Sequence, residues 1–272
     1  MLPITSSDST TAATSPQGSF VCIQAAPQVY VLSFSSPPDN RLTPSFNSAF
    51  LLALDILETR YPRGVVVTTS SITKFYSNGL DYENVLKDPA AFFQGSLYPL
   101  WSRLLTYPMP TVALINGHAF AGGLMTAMMH DYRIMNPHKG FVCMNELDFG
   151  AGLRPPMASI FRVKLPAAAT LRNMTLESRR YPALEALKEG LIDGLGGPEE
   201  TLAFIAELRL VQKAQSASYG LIKDELYREV VKDLEEDVAT AETQKASRRK
   251  AQEIDTKKRV EGWDKFRERS RL

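Results

Sequence analysis

Two short turns in the sequence combine glycine with backbone N–H groups that could bind a negatively charged oxygen. The turn Ala121-Gly122-Gly123 stands directly before a helical pattern, and Asn78-Gly79-Leu80 follows an earlier strand pattern. Glycine lets a ligand approach the backbone, and the first N–H groups of a helix favour negative charge. An oxyanion hole needs two such donors from two sides. A strand-to-helix turn also uses glycine for packing alone, so the pattern by itself leaves both interpretations open.

Three side chains near these turns could move a proton. Glu146 and Asp148 follow a strand pattern that ends at Met144, and His118 lies in the loop before Gly122. Carboxylates and imidazoles are the usual general acids and bases. Charged residues in a loop are more often simply solvated, however. We interpret Asp148 as structural and His118 as a packing residue of its loop, which leaves Glu146 as the strongest candidate.

The elements around these residues alternate between strand and helix patterns. Apolar and β-branched runs predict strands at residues 20–24, 29–34, 64–69, 111–115, 132–135 and 140–144. A helix is predicted from Pro44 with Thr43 as its N-cap, a second at residues 98–105, and a third after Gly123. This alternation predicts parallel strand pairing and an α/β layer architecture.

Composition limits the classes of function. The chain has 272 residues, 44% hydrophobic and 22% charged, which is enough to bury a sizeable core. A formal net charge of +1 gives no electrostatic reason to expect nucleic acid or an anionic membrane surface as partner. Apolar runs are far shorter than the ~20 residues of a membrane span, so no membrane insertion is expected. Cys22 and Cys143 are expected to be free thiols, and no Cys/His cluster predicts a metal site.

The chain divides into three predicted regions. Residues 1–19 are rich in Ser and Thr and predict a disordered N-terminal tail. Residues 20–200 carry the alternating core, and residues 201–272 form a charge-balanced helical region. The terminal Ser270-Arg271-Leu272 differs from the peroxisomal address Ser-Lys-Leu only in its cation. We therefore expect recognition by a peroxisomal import receptor; the alternative is that a charged helix simply ends there.

Four segments in order resemble the crotonase (enoyl-CoA hydratase/isomerase) superfamily. They are residues 77–81, 115–123, 130–134 and 144–148, and the resemblance spans residues 20–193. Each segment is weak evidence alone, but their order and spacing match. Within the superfamily the similarity is greatest to Δ3,Δ2-enoyl-CoA isomerases, especially the peroxisomal type of plants and fungi.

The resemblance implies both a fold and a chemistry. The fold is a spiral of ββα units, assembled as a homotrimer or hexamer, with a C-terminal helical region over the acyl pocket. The thioester oxygen of an acyl-CoA binds N–H groups matching Leu80 and Gly122, and Asn78 and Gly79 belong to the same oxyanion-hole and substrate-binding set. A single glutamate, matching Glu146, removes and redelivers a proton. No cofactor is implied, because CoA is part of the substrate.

The subclass depends on two departures from related enzymes. Hydratases carry a second glutamate where this chain has Met125, and dienoyl-CoA isomerases carry aspartates where it has Met125 and Arg154. Activating water demands a second acid or base, so one carboxylate favours a proton shuttle. The resemblance thus implies an isomerase that shifts a 3-double bond to trans-2 in fatty acid β-oxidation. Arg154 could pair with Asp148, reach a CoA phosphate or be exposed, and we expect exposure.

Two alternatives remain at this stage. One is a hydratase or lyase acting on a specialised acyl-CoA. The other is a family member that binds acyl-CoA without catalysis, although the retained Glu146 argues against it.

Overall fold

The computed structural model describes residues 2–5, 18–236 and 238–269. The strands in these ranges are β1 (Leu2–Thr5), β2 (Ser19–Ala26), β3 (Val29–Ser35), β4 (Val65–Ser70), β5 (Phe75–Ser77), β6 (Thr111–Ile115), β7 (His118–Phe120), β8 (Tyr132–Met135), β9 (Val142–Cys143) and β10 (Gly194–Leu195). The α-helices are α1 (Pro44–Arg60), α2 (Tyr82–Lys87), α3 (Pro89–Phe92), α4 (Tyr98–Leu105), α5 (Gly122–Met128), α6 (Pro155–Lys164), α7 (Ala168–Leu176), α8 (Ala183–Lys188), α9 (Pro198–Glu207), α10 (Leu210–Ala214), α11 (Ser218–Leu226), α12 (Arg228–Glu235) and α13 (Val238–Arg269). A π-helical turn (Phe93–Leu97) and a 3-10 turn (Glu146–Phe149) complete the set.

The strands form two sheets that the chain visits in turn. The large sheet has the order β1-β2-β3-β4-β6-β8-β10, and the small sheet has the order β5-β7-β9. Pairing is antiparallel between β1, β2 and β3 and parallel everywhere else in the two sheets. Each large-sheet strand β4, β6 and β8 is followed by a small-sheet strand and then by helix. These repeats are the ββα units of the predicted crotonase-like spiral, and the α/β class is confirmed.

The large sheet is covered on both faces, which explains its β-branched sequence. In β4, the side chains of Val65, Val66 and Val67 are all buried, as expected of a strand between two layers. On one face the rings of Phe20 and Phe46 lie 5.0 Å apart and join α1 to the sheet. On the other face a core cluster combines sheet residues with helical ones from α9 and α10.

Several predicted boundaries are confirmed. The Phe46 N–H donates to Thr43 Oγ1 at 3.1 Å, and Pro44 is the first residue of α1. The bounds of α4, β6 and β8 agree with the prediction. Two strands of the small sheet, β5 and β7, are not predicted from the sequence: each has three residues, which is too short for a period to be recognised.

The amino terminus differs from the prediction in the part that the structure describes. Leu2–Thr5 pair with β2, with Thr5 opposite Ser19, so these four residues form an edge strand and not the predicted disordered tail. Composition does not report that a segment can pair with an open sheet edge. The rest of that predicted tail, residues 6–17, lies outside the described residues.

The chain divides into two compact units, Met1–Glu235 and Glu236–Leu272. The predicted boundary at residues 200/201 lies inside the first unit, because Ile205 and Leu210 belong to the core cluster of the large sheet. In the second unit α13 is a single helix whose described side chains are exposed. The predicted targeting residues Ser270 to Leu272 lie outside the described residues. No helix in the described ranges combines the length and hydropathy needed to span a membrane.

Candidate functional site

Three chain segments meet at one edge of the small sheet. Because β5, β7 and β9 are parallel, their carboxyl ends lie at the same edge. The turn 78–80 follows β5, Gly122 follows β7 after one residue, and Glu146 follows β9 after two. The Ala121 N–H donates to the Cys143 carbonyl at 2.9 Å and ties the second segment to the third. All the predicted site residues therefore lie at this edge.

The two glycine turns pack backbone against backbone. A methyl group built on Gly122 would lie 3.3 Å from the Leu80 nitrogen, and one built on Gly79 would lie 3.3 Å from the Gly122 nitrogen. Gly79 also has a φ of 92°, which side chains rarely tolerate. Packing, one of the two interpretations open at the sequence level, therefore requires these glycines. The same packing brings the backbones of Leu80 and Gly122 close together.

Within the described residues, neither of these two N–H groups donates a hydrogen bond to a protein acceptor. Gly122 is the first residue of α5, where N–H groups lack an intrahelical partner. The backbone groups of the first turn that form hydrogen bonds are the Asn78 and Gly79 N–H groups and the Gly79 and Leu80 carbonyl oxygens. None of these bonds within the described residues uses the Leu80 N–H. Ala121 makes the sharp turn into α5 with a φ of 49°, an uncommon value for a residue with a side chain.

The first turn is held by residues that the sequence analysis does not identify as functional. The Asn78 side-chain amide donates to Asp39 Oδ2 at 2.6 Å, and Arg41 donates to the Leu80 carbonyl at 3.3 Å. Asp39 and Arg41 also pair with each other at 3.2 Å. The clustered polar residues before α1 are the only sequence signal, and such a cluster is typical of any loop into a helix.

Asn40 also supports the site, although its place in the sequence carries no functional signal. It is fully buried with a φ of 54°, a conformation that asparagine tolerates better than most residues. Its side-chain amide nitrogen donates to the Tyr76 carbonyl at 3.1 Å, and its backbone carbonyl accepts a hydrogen bond from the Ser77 hydroxyl at 2.7 Å. Asn40 thus fixes β5. Asp81, which directly follows the same turn, caps α2.

Glu146 is a buried carboxyl that forms no salt bridge with any residue in the described ranges. Its side chain is 8% exposed, and Oε2 has no hydrogen-bond partner among the described residues. Burial raises the pKa of Glu146 to about 7, against the opposite effect of a hydrogen bond from its own backbone N–H. A carboxyl with this pKa both accepts and returns a proton at neutral pH.

The neighbouring candidates have other roles. His118 packs against Phe120 and Phe141 with ring centroids at 4.7 and 5.7 Å, and its Nδ1 accepts the Phe141 N–H at 3.1 Å, which confirms the packing interpretation. Asp148 is exposed. Arg154 is half-buried, not exposed as expected, because its guanidinium lies 3.9 Å from the centre of the Phe93 ring.

Other possible sites in the described part of the chain are weaker. No group of three His, Cys, Asp or Glu residues there could hold a metal ion. Both cysteines are free, as predicted, and burial raises the pKa of Cys143 to about 12. A groove of about 360 Å³ on the large sheet contains none of the predicted site residues. Some of the polar groups that line this groove form hydrogen bonds with each other, since the Asn116 side-chain amide donates to the Ser70 carbonyl.

Comparison with known proteins agrees with this architecture. The family model described as enoyl-CoA hydratase/isomerase matches residues 24–272. The chain is 28% identical over 219 residues to enoyl-CoA delta isomerase 2, peroxisomal, of Arabidopsis thaliana, covering 74% of this chain and 90% of that protein.

Two solved structures share the fold. Human mitochondrial delta3-delta2-enoyl-CoA isomerase superposes with a TM-score of 0.65 at 23% identity, covering 86% of this chain and 98% of that one. An enoyl-CoA hydratase from Mycobacterium marinum gives a TM-score of 0.67 at 23% identity, covering 79% and 94%. Because an isomerase and a hydratase both superpose, the fold does not distinguish between these two reactions.

Proposed function

The chain belongs to the enoyl-CoA hydratase/isomerase family, and we propose that within this family it is a Δ3,Δ2-enoyl-CoA isomerase. The observation that carries the proposal is the buried carboxyl of Glu146, with its pKa of about 7, at the strand ends that also carry the Leu80 and Gly122 N–H groups, neither of which has an acceptor among the described residues. The similarity to a plant enoyl-CoA delta isomerase supports the same reaction.

The proposed reaction moves one proton and one double bond. The thioester oxygen of a 3-enoyl-CoA accepts hydrogen bonds from the Leu80 and Gly122 N–H groups. Glu146 removes a proton from C2, and the electron pair enters the carbonyl to form a dienolate that the two N–H groups stabilise. Protonated Glu146 then returns the proton to C4. The double bond has moved from C3–C4 to C2–C3, and the carboxylate is regenerated.

The physical requirements of each step correspond to features of the site. An oxyanion donor in a preorganised site contributes about 3 kcal/mol to transition-state stabilisation. A carboxylate of raised pKa is a stronger base than an ordinary one, and its conjugate acid still returns the proton readily.

The absence of a second acid favours isomerisation over hydration. Met125, one turn along α5 from Gly122, is fully buried, and it occupies the position at which the resemblance places the second hydratase glutamate. A methionine can neither activate water nor protonate a carbanion. The hydratase alternative would need another acid or base beside Glu146.

The decisive experiment uses purified protein with 3-hexenoyl-CoA and 3-decenoyl-CoA. The expected product is the conjugated 2-enoyl-CoA, followed by its ultraviolet absorbance, and dialysis against EDTA should leave the rate unchanged because no cofactor is proposed. A parallel incubation with 2-hexenoyl-CoA tests for water addition. Rapid hydration there would contradict the isomerase proposal. Tight binding without either reaction would favour the non-catalytic alternative.

We place this activity in peroxisomal fatty acid β-oxidation. The Arabidopsis relative is named peroxisomal, whereas the human isomerase that superposes is mitochondrial, so the compartment needs its own test. The acyl-CoA substrate and an import receptor are the proposed partners. A homotrimer or hexamer is the proposed assembly, which light scattering on the purified chain would measure.

A further inference from the structure

A buried hydrogen-bond chain runs behind the two glycine turns. The Tyr76 hydroxyl lies 2.9 Å from Thr68 Oγ1, and Thr68 Oγ1 lies 2.9 Å from His130 Nε2. His130 Nδ1 lies 3.0 Å from the Thr126 carbonyl oxygen. All four side chains are at most 2% exposed. This hydrogen-bond chain links β4 and β5 to the end of α5, and its side chains are shielded from solvent.

The partners of His130 fix the direction of every hydrogen bond in this chain. A carbonyl oxygen only accepts, so His130 Nδ1 carries a proton and donates to Thr126. Burial lowers the pKa of His130 to about 3, so the ring is neutral and Nε2 must accept. Thr68 therefore donates to His130, which leaves Tyr76 as the donor to Thr68.

The two ends of the hydrogen-bond chain, Tyr76 and Thr126, lie on the elements that carry the proposed oxyanion donors. Tyr76 is in β5, and the turn with the Leu80 N–H begins directly after that strand. Thr126 lies one turn after Gly122 in α5, and its hydroxyl donates to the Gly122 carbonyl at 2.8 Å. The same hydroxyl accepts the Trp101 indole N–H at 2.9 Å. The polar chain therefore ties β5 to the first turn of α5.

An enolate oxygen needs both donors at about 2.7 to 3.1 Å, so a small shift of β5 against α5 changes both distances. We propose that His130 is a positioning residue that holds β5 and α5 at the separation at which one enolate oxygen accepts both the Leu80 and the Gly122 N–H. This role rests on the proposed enolate chemistry. His130 itself touches no substrate.

Substitutions at Thr68 test the hydrogen-bond chain without opening a large cavity. Thr68→Val keeps the side-chain volume but removes the bonds to His130 and Tyr76, whereas Thr68→Ser keeps the hydroxyl. We expect kcat of Thr68→Val to fall about 10-fold, with KM within about twofold of wild type, because the loss is confined to the transition state. Thr68→Ser should keep kcat within about twofold of wild type.

Substitution of His130 itself separates its two bonds. In His130→Asn the shorter amide can still donate to the Thr126 carbonyl but does not reach Thr68. We expect His130→Asn to have the same kcat as Thr68→Val. Should His130→Asn fail to fold, Thr68→Val still decides the proposal.

A matched pair of tyrosine variants separates positioning from stability. Tyr76→Phe and Tyr107→Phe each remove one buried hydroxyl. The Tyr107 hydroxyl donates to the Leu54 carbonyl at 2.7 Å and is not part of the hydrogen-bond chain through His130. A merely structural role predicts a lower melting temperature and an equal effect on kcat in both variants. Positioning predicts that only Tyr76→Phe loses kcat, measured well below either melting temperature.

A second assay follows the enolate without any double bond. In D₂O, the wild type should exchange the C2 protons of hexanoyl-CoA, detected by mass, and Thr68→Val should exchange them about 10-fold more slowly. Exchange without isomerisation of 3-hexenoyl-CoA would contradict the isomerase proposal and still allow His130 to be tested. Equal exchange by wild type and Thr68→Val would overturn the positioning role, as would a wild type that exchanges nothing.

Discussion

Glu146 is both buried and without a charged partner, and the consequences for activity and for stability have opposite signs. In catalysis, a raised pKa makes the carboxylate a better base. In folding, the same burial penalises the ionised form, so the protein is less stable at the pH at which the proposed base is ionised. Functional groups of this kind are commonly held at the expense of stability.

Replacing the carboxyl by an amide should separate these two effects. Glu146→Gln keeps the shape but accepts no proton, so kcat for 3-hexenoyl-CoA should fall at least ~10²-fold while substrate still binds. Steady-state assays and equilibrium binding of a saturated acyl-CoA check this. Activity within a few-fold of wild type would remove Glu146 from the mechanism.

The stability of the same variant should depend on pH. The folded pKa of Glu146 is raised to about 7 from an ordinary 4.5. Between these values the folded state binds more protons than the unfolded state, so the contribution of Glu146 to stability falls as pH rises through this window. Glu146→Gln should therefore gain stability relative to wild type by about 2 kcal/mol between pH 5.5 and pH 8.5. Urea unfolding at the two pH values measures the difference, and a pH-independent difference would argue against the raised pKa.

The rate of the wild type should follow the same ionisation. In the proposed mechanism the free enzyme is competent only with Glu146 deprotonated, so kcat/KM should rise with pH and level off above an apparent pKa near 7. Stopped-flow or steady-state rates from pH 5.5 to 8.5 check the midpoint. A profile that is flat over this range would mean that another group is the base.

At the scale of elements, the separation between β5 and α5 decides whether the two N–H groups can act together. A methyl group on Gly123 would lie 2.4 Å from the Ser77 carbonyl oxygen, a backbone atom that cannot move aside alone. Glycine at this position is therefore a consequence of the approach of strand to helix, independent of any ligand.

Gly123→Ala should force these elements apart. We expect kcat to fall at least about 10-fold, because both oxyanion distances lengthen, while the position of Glu146 after β9 is unaffected. Gly152→Ala is the matched control, since a methyl group there meets no atom within 4 Å, and it should retain wild-type kcat. Kinetics of the two variants at one temperature make the comparison. Normal turnover by Gly123→Ala would contradict the proposed geometry.

At the scale of the whole molecule, the site belongs to the first compact unit, Met1–Glu235. The residues of the predicted address lie at the end of the second unit. Chemistry and targeting are thus assigned to different parts of the chain, and each can be changed alone.

Removing Ser270 to Leu272 should change location but not catalysis. Terminal residues contribute little to folding, so isomerase activity and melting temperature should stay at wild-type values. A fluorescent tag at the amino terminus should move from peroxisomal puncta to cytosol in the truncated protein. Cytosolic fluorescence from the complete chain expressed alone would show that the targeting prediction is wrong.

The sequence by itself determined the features that depend on neighbouring residues. Thr43 and Pro44 begin α1 as predicted, because capping acts over a few residues. The ordered segments around Gly122 and Glu146 indicate the family without any knowledge of long-range contacts, because each segment keeps its own spacing. The α/β class follows from alternating strand and helix patterns for the same reason.

Only the tertiary structure decided how these local features combine. The contact between Gly79 and Gly122, the support of the first turn by Asp39, and the hydrogen-bond chain through His130 all join residues far apart in the sequence. They depend on the pairing of β5 and β7 with each other and with β9, and β5 and β7 are too short to leave a periodic pattern. The raised pKa of Glu146 likewise depends on burial, which is a property of everything packed around the carboxyl and of no single segment.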